Sequence, residues 1–194
     1  MSLLRRGFIT WCENAARGYR RELRLKPFDP LNPRLLASHM KIRIWKPNEV
    51  PGLSEASFKQ LTQVDPSGWS AATVCVGDKH VIITNDRHSD ERQNNSLMHE
   101  LSHIVLKHKP AQVFVSNTGQ MMLNVYDKAH EEEANCLSGA LLVPRDALLH
   151  FLGEGYDHSS AAAHFVVTVE LLKMRVNRTG VGKQLASRRR YRSA

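Results

Sequence analysis

A short stretch reading LMHELSHIVLKH, residues 97–108, constrains the local structure of this chain more strongly than any other. Its apolar residues recur at intervals of three and four, and a serine–aspartate pair lies upstream, so the stretch predicts an N-capped amphipathic helix. On that helix His99 and His103 lie one turn apart and can bind the same ion, with Glu100 beside them. The pattern predicts a metal site with an adjacent base, and the alternative is an ordinary helix whose histidines are structural or solvated.

A catalytic zinc site requires a third protein ligand and one open position for water. One known arrangement, H-E-x-x-H-x-x-G-x-x-H, takes that ligand from the same segment, but this chain has Leu106 and Lys109 where glycine and histidine would stand. His108 falls on another side of a continuous helix, so it is interpreted as a solvated or structural histidine. The third ligand is therefore expected from a second helix.

A run of three glutamates in YDKAHEEEANCLSGALLVP, residues 126–144, offers that ligand. Successive helical residues differ by about 100° in direction, so Glu131, Glu132 and Glu133 face different sides. We select Glu131, because its side of the helix carries small or polar residues that allow another helix to approach. Asn135, one turn later, is a candidate to hold the second nitrogen of a histidine ligand. The alternative is that all three glutamates are solvated.

The linked motifs HELSH and HEEEANCLSGALLVP resemble those of the ImmA/IrrE family of metallopeptidases, in which a HELGH-like helix precedes E-x-E-A-N-x-F-A-x-x-L-L-M-P. Similar flanking segments, VIITNDRHSDERQNNSLMHE upstream and AAAHFVVTVELLKMRV downstream, extend the resemblance over about residues 40–180. Ser102 stands where glycine is common, and Cys136-Leu137-Ser138 where x-Phe-Ala is common. The resemblance implies that His99, His103 and Glu131 bind the metal and that Glu100 is the catalytic acid/base.

The fold class predicted is α+β, with the two metal-bearing helices beside a small antiparallel or mixed sheet, as in a minimal zincin-like metallopeptidase domain. KIRIW alternates as a strand does, ATVCV and HVIIT predict a hairpin, and QVFVS and MMLNV a second pair. Three parts are expected: an N-terminal helical segment at 1–39, a metallopeptidase domain at 40–180, and a basic, disordered tail at 181–194.

Cysteine and apolar content indicate the compartment. Cys12, Cys75 and Cys136 are odd in number and form no C-x-x-C pair, which suits a reducing environment and excludes a cysteine-based zinc ribbon. No stretch approaches the ~20 apolar residues of a membrane span. A cytoplasmic protein without membrane contact is expected.

The net charge of +8 is concentrated in the last 24 residues, which contain eight lysines and arginines and no acids. Such a cluster predicts nonspecific contact with nucleic acid, and the alternative is a tail that only improves solubility. Residues 159–178, with Thr168 as a helix cap, could also form a DNA-binding helix pair whose second helix carries Lys173 and Arg175.

The function predicted is a zinc-dependent endopeptidase, with another divalent metal such as Mn²⁺ as an alternative cofactor. Glu100 would accept a proton from water and pass it to the leaving amine. Tyr126, His130 and His164 are candidate donors to the developing oxyanion, and the sequence does not rank them.

The family resemblance suggests that the substrate is a helix-turn-helix repressor, cleaved to control stress-response or mobile-element genes. Two alternatives belong to other classes. One is a DNA-binding regulatory protein with a structural metal site, against which Glu100 argues, because a structural site needs no base. The other is a partner protein of the toxin–antitoxin kind, which binds a regulator without cutting it.

Overall fold

The structure, a computed structural model, describes residues 4–76, 79–108, 113–115, 121–123 and 127–192. Its architecture is mixed α+β, as predicted. The helices are α1 (Phe8–Glu22), α2 (Pro33–His39), α3 (Glu55–Lys59), α4 (Asp90–Val105), α5 (Lys128–Leu142), α6 (Arg145–Gly153), α7 (His158–Phe165), α8 (Val169–Thr179) and α9 (Val181–Arg192). The strands are β1 (Arg43–Trp45), β2 (Ala71–Val76), β3 (Lys79–Thr84), β4 (Val113–Val115) and β5 (Met121–Leu123).

Three strands form the principal sheet, in the order β1–β3–β2. Strand β3 pairs in parallel with β1 and antiparallel with β2, so the sheet is mixed and the predicted hairpin is confirmed. Ile82, at the centre of β3, is fully buried, and α4 packs against both β2 and β3. Strands β4 and β5 form a separate antiparallel pair, also as predicted. The sheet therefore supports one side of the HELSH helix.

The helix boundaries follow from caps that the sequence announces. Asn32, Ser89 and Thr168 each accept a hydrogen bond from a backbone N–H in the first turn of α2, α4 and α8, and Asp127 accepts two at the start of α5. Helix α5 ends at Leu142, just before Pro144. These caps set where the two ligand-bearing helices begin.

Helix α5 lies at the centre of the hydrophobic core. From Cys136 to Leu142 its residues are all buried, and it packs on α4 and α1. Phe8, Cys12 and Ala16 of α1 belong to the same core cluster. The N-terminal helical segment expected at 1–39 thus contributes to the same core as α4 and α5 and does not form a core of its own.

A buried ion pair fastens α8 to α1 and to the end of α5. The Arg175 side chain is 0% exposed, its Nη2 donates to Glu13 Oε1 at 2.5 Å, and its Nε donates to the Val143 carbonyl at 3.0 Å. Gly139 permits this approach, because a Cβ there would stand 2.6 Å from Arg175 Cδ. The reading of α8 as a DNA-contacting helix is therefore wrong for Arg175, which is committed to the core.

The prediction of a disordered tail at 181–194 is wrong for residues 181–192, which form α9. Val181 is fully buried, Leu185 packs against the core, and Gln184 accepts a hydrogen bond from Arg145 at 2.6 Å. A few contacts in the first two turns hold the helix, although its sequence lacks a continuous apolar stripe. Within the described part of the chain, none of the helices combines the length and apolar character needed to cross a membrane.

Candidate metal centre

Three side chains from α4 and α5 converge on one point, as predicted. His99 Nε2 lies 3.2 Å from Glu131 Oε2, His103 Nε2 lies 3.4 Å from Glu131 Oε1, and the two Nε2 atoms are 3.1 Å apart. The side chains are 23%, 20% and 27% exposed, so the cluster is reachable from solvent. Among the residues that the structure describes, this is the one group of three or more such side chains placed to hold a metal ion.

The spacing of these atoms fits a tetrahedral zinc site. Ligand atoms about 2.0–2.1 Å from a tetrahedral ion are separated from each other by about 3.3 Å. The three separations observed, 3.1, 3.2 and 3.4 Å, match that value. Two imidazole nitrogens and one carboxylate oxygen are also ligand types that zinc prefers, and a third protein ligand leaves one position open.

Burial favours the neutral, metal-binding form of His103. Loss of solvent lowers its pKa to about 4, with additional contributions from His99, His108 and His130. At pH 7 the ring therefore carries a free lone pair, and its contact with Glu131 is not an ion pair of opposite charges. A divalent cation would supply the positive charge that the glutamate otherwise lacks there.

Glu100 is held beside the cluster by the sheet. It follows His99 on α4, and its Oε2 accepts a hydrogen bond from Thr73 Oγ1 of β2 at 2.5 Å. The Thr73 side chain lies on the outer strand of the described sheet. Sequence reasoning missed Thr73, because it precedes Glu100 by 27 residues and no local pattern marks it.

The three consecutive glutamates have three different partners. Glu131 faces the histidine pair, Glu132 Oε1 accepts a hydrogen bond from Arg178 Nη2 at 2.6 Å, and Glu133 Oε2 lies 3.2 Å from His108 Nε2. Glu131, which helical geometry selects, is the one of these three glutamates that contacts His99 and His103. The alternative of three solvated glutamates does not describe this arrangement.

The prediction that His108 lies on another side of the helix is wrong, and of the two roles expected for it the structural one fits and the solvated one does not. Its Nδ1 lies 3.0 Å from His103 Nδ1, and its side chain is 5% exposed. Helix α4 ends after Val105, and Lys107 adopts a left-handed conformation with φ 57°. The His108 N–H then donates to the His103 carbonyl at 3.0 Å and the Lys107 N–H to the Ile104 carbonyl, which is the Schellman arrangement. This turn brings His108 back over His103.

Asn135 does not fill the supporting role predicted for it. Asn135 is an exposed residue of α5, and the second nitrogen of His103 already faces His108. Asn135 instead offers its backbone carbonyl to the Ser138 hydroxyl at 3.3 Å. Four residues at about 100° each place Asn135 about 40° around α5 from Glu131, and at that position it is exposed.

The candidate oxyanion donors are not brought together. His130 lies in the first turn of α5 and stacks on His108, with ring centroids 4.2 Å apart, so it borders the site. His164 lies on α7, where its Nε2 is 3.1 Å from the Phe28 carbonyl and its ring packs on Phe151. These partners belong to another part of the fold, so they do not support His164 as an oxyanion donor. Tyr126 lies outside the described residues.

Positions that depart from the motif of the resembling family are accommodated by packing. Ser102 is fully buried, and its hydroxyl donates to the Met98 carbonyl at 2.7 Å. Cys136 and Leu137 are fully buried, and Ser138 is nearly so. Neither departure displaces a metal-ligating side chain.

A helix carrying H-E-x-x-H, a second helix supplying a glutamate, and a small sheet that contacts the glutamate between the two histidines together define a zincin-like metallopeptidase domain. The IrrE N-terminal-like domain family matches residues 56–177, more than half of the chain, and the chain belongs to that family. Membership supports a metallopeptidase role. The match starts at residue 56, inside the 40–180 range of the sequence resemblance. No curated protein and no solved structure matches the chain.

Proposed function

We propose that this protein is a zinc-dependent endopeptidase. The observation that carries the proposal is the position of Glu100, which follows one ligand of the His99–His103–Glu131 group and is oriented by Thr73. A site that served structure alone would need the ligands but no carboxylate held ready beside them. Mn²⁺ is the alternative cofactor, and restoration of activity to metal-free protein by each ion distinguishes the two.

The residues have separate roles in hydrolysis. His99, His103 and Glu131 would hold the metal, which when bound acidifies a water molecule and polarises the scissile carbonyl. Glu100 accepts the proton of the attacking water and returns it to the amide nitrogen that leaves. Thr73 engages Glu100 Oε2, so Oε1 is the oxygen assigned to proton transfer.

Strand β2 supports an extended peptide as the substrate. Among the described strands it pairs only with β3, and we propose that the backbone of a substrate pairs along its other edge. Thr73 lies on β2 and contacts Glu100, so a peptide added along this edge would pass the base. Backbone pairing of this kind binds an unfolded or flexible segment, which suits cleavage within a protein.

The substrate class that we propose is a helix-turn-helix repressor, whose cleavage would release stress-response or mobile-element genes. Membership of the IrrE N-terminal-like family and the motif resemblance support this choice. A cytoplasmic location is part of the proposal, because Cys12 and Cys136 are free and buried.

The test is cleavage of the repressor encoded beside the gene, with and without a chelator. Glu100→Gln should retain stoichiometric metal and lose cleavage, since an amide cannot accept the proton of water. Glu132→Gln, the same substitution on a residue paired with Arg178, is the matched control and should keep cleavage. A stable complex with the repressor and no cleavage under any metal would instead favour a non-cleaving partner protein.

A second candidate function, nonspecific nucleic-acid contact, is favoured by the surface around α9. Of the eight terminal cations, Arg175 and Arg178 are paired with Glu13 and Glu132. Three others whose side chains are described, Lys173, Lys183 and Arg188, are exposed. Lys173 shares α8 with Glu170, whereas α9 contains no acid, and cations clustered in this way attract phosphates irrespective of base sequence.

Binding of a fluorescent duplex over a range of salt concentrations tests this function. Affinity should fall steeply with salt, differ little between sequences, and weaken in the Lys183→Gln/Arg188→Gln variant. Tight binding to one operator at physiological salt would favour the DNA-binding regulatory protein instead.

A further inference from the structure

We infer that His108 and Glu133 form a positioning pair for the metal ligand His103, as an imidazole–imidazole–carboxylate chain behind the metal centre. The inference rests on the proposed metal site and deepens it. It concerns residues that touch no ligand position themselves but act through His103.

The contacts run in one line away from the site. His103 directs Nε2 towards Glu131, its Nδ1 lies 3.0 Å from His108 Nδ1, and His108 Nε2 lies 3.2 Å from Glu133 Oε2. A metal on His103 Nε2 requires the proton on Nδ1, which then donates to His108 Nδ1. The His108 proton is thereby placed on Nε2, where it donates to the carboxylate of Glu133. One set of tautomers therefore gives a partner to every ring nitrogen that faces away from the metal, and it leaves the lone pair of His103 on the metal side.

The surrounding contacts hold the imidazole–imidazole–carboxylate chain firmly enough to orient the ring of His103. The His108 side chain is 5% exposed, one face stacks on His130 at 4.2 Å with an interplanar angle of 16°, and its edge meets His103. The left-handed Lys107 fixes its backbone against the end of α4. Partners of this kind fix the tautomer and orientation of a ligating histidine and raise its basicity.

Simple packing is the competing explanation, and Glu133 distinguishes the two. A histidine that merely filled space would need no carboxylate at its far nitrogen. Glu133 lies two residues after the ligand Glu131 on the same helix, so α5 supplies both a ligand and the end of the chain that supports another ligand.

The experiment measures the zinc dissociation constant of the full chain by competition with a chromophoric chelator, together with the visible spectrum of the Co²⁺-substituted protein. Wild type is compared with His108→Leu, His108→Gln and Glu133→Gln. We expect the leucine and Glu133 variants to bind zinc about 10- to 100-fold more weakly and to show altered Co²⁺ spectra. His108→Gln should recover part of the affinity, because its amide both accepts and donates.

Glu132→Gln is the matched control and should keep wild-type affinity and spectrum. Should His108→Leu fail to fold, Glu133→Gln carries the test. Wild-type affinity and spectrum in both variants, with metal bound by the wild type, would overturn the positioning role alone. A wild type that binds no metal would overturn the proposed function and this inference together. Affinity losses shared by Glu132→Gln would show that general destabilisation is responsible.

Discussion

Two polar clusters meet helix α5, and they are built in opposite ways. In the buried ion pair, Glu13 and Arg175, two guanidinium nitrogens donate to a carboxylate and a carbonyl, and the arginine is 0% exposed. In the acceptor cluster, His99, His103 and Glu131, two imidazole nitrogens and the oxygens of a carboxylate converge within 3.4 Å, and the side chains remain 20–27% exposed.

The difference separates a structural site from a functional one. The ion pair contains its own positive charge, so its charges are balanced within the protein, and it holds α1, α5 and α8 together. The acceptor cluster brings together three side chains that can each offer a lone pair, and a cation bound at the point on which they converge would satisfy all three at once. The acceptor cluster is also more exposed than the ion pair, because a site for exchangeable ligands must remain accessible. Substitutions in the first cluster should therefore change stability, and those in the second should change metal binding.

The largest effect on stability is expected for Arg175→Met. Removing the guanidinium leaves Glu13 as a buried carboxylate without its cation, which should lower the free energy of unfolding by about 3–5 kcal/mol. Metal per folded chain should not change. Urea titration checks the first expectation and metal analysis of the folded fraction checks the second. Adding Glu13→Gln to Arg175→Met should recover part of the loss, because no uncompensated charge then remains. A large loss of metal in Arg175→Met alone would show that the ion pair and the acceptor cluster are not independent.

A smaller effect, confined to the acceptor cluster, is expected on acidification of metal-free protein. The pKa of His103 in the folded state is about 4, below the usual 6.5, chiefly because of burial. As pH falls the unfolded chain takes up this proton first, so stability should decline between about pH 6.5 and pH 4. The measurement is the urea midpoint at several pH values, with His103→Gln as the control. Identical pH profiles for the two proteins would exclude His103 as the source.

The smallest effect is expected at the turn that directs His108 towards the acceptor cluster. Lys107 has a left-handed backbone, which glycine adopts at lower cost, so Lys107→Gly should raise the free energy of unfolding by up to about 1 kcal/mol. Zinc affinity should stay unchanged, because the turn is preserved. Lys107→Ile should lower both quantities, since a β-branched residue strains this conformation. If Lys107→Ile bound zinc as tightly as wild type, the turn would have no effect on the metal centre.

The sequence predicts those features that depend on residues close together along the chain. Helix caps at Ser89 and Asp127, and the period that selects Glu131, depend on neighbours within a few residues, and the structure agrees with them. Contacts across long separations carry no such local pattern. Thr73 with Glu100, and Arg178 with Glu132, arise only when the sheet and α8 pack against the two metal-bearing helices.

The wrong predictions also have physical causes. His108 was placed by continuing a helix that ends at a left-handed lysine, a conformation for which sequence normally offers glycine. Cations outweigh the few apolar residues of the terminal segment, which favours disorder, yet Val181 and Leu185 contact the core at the start of α9. In both cases one or two residues change the local structure, at Lys107 by ending a helix and at Val181 and Leu185 by contacting the core.

The central claim, that Glu131 completes a metal site with His99 and His103, is tested most directly by metal content after gel filtration. Wild type is compared with Glu131→Gln and with Glu132→Gln, which makes the same change on the adjacent residue. We predict stoichiometric zinc in wild type and in Glu132→Gln, and little zinc in Glu131→Gln, because a neutral amide is a poor zinc ligand. Full occupancy in Glu131→Gln, or its loss in Glu132→Gln, would contradict the assignment.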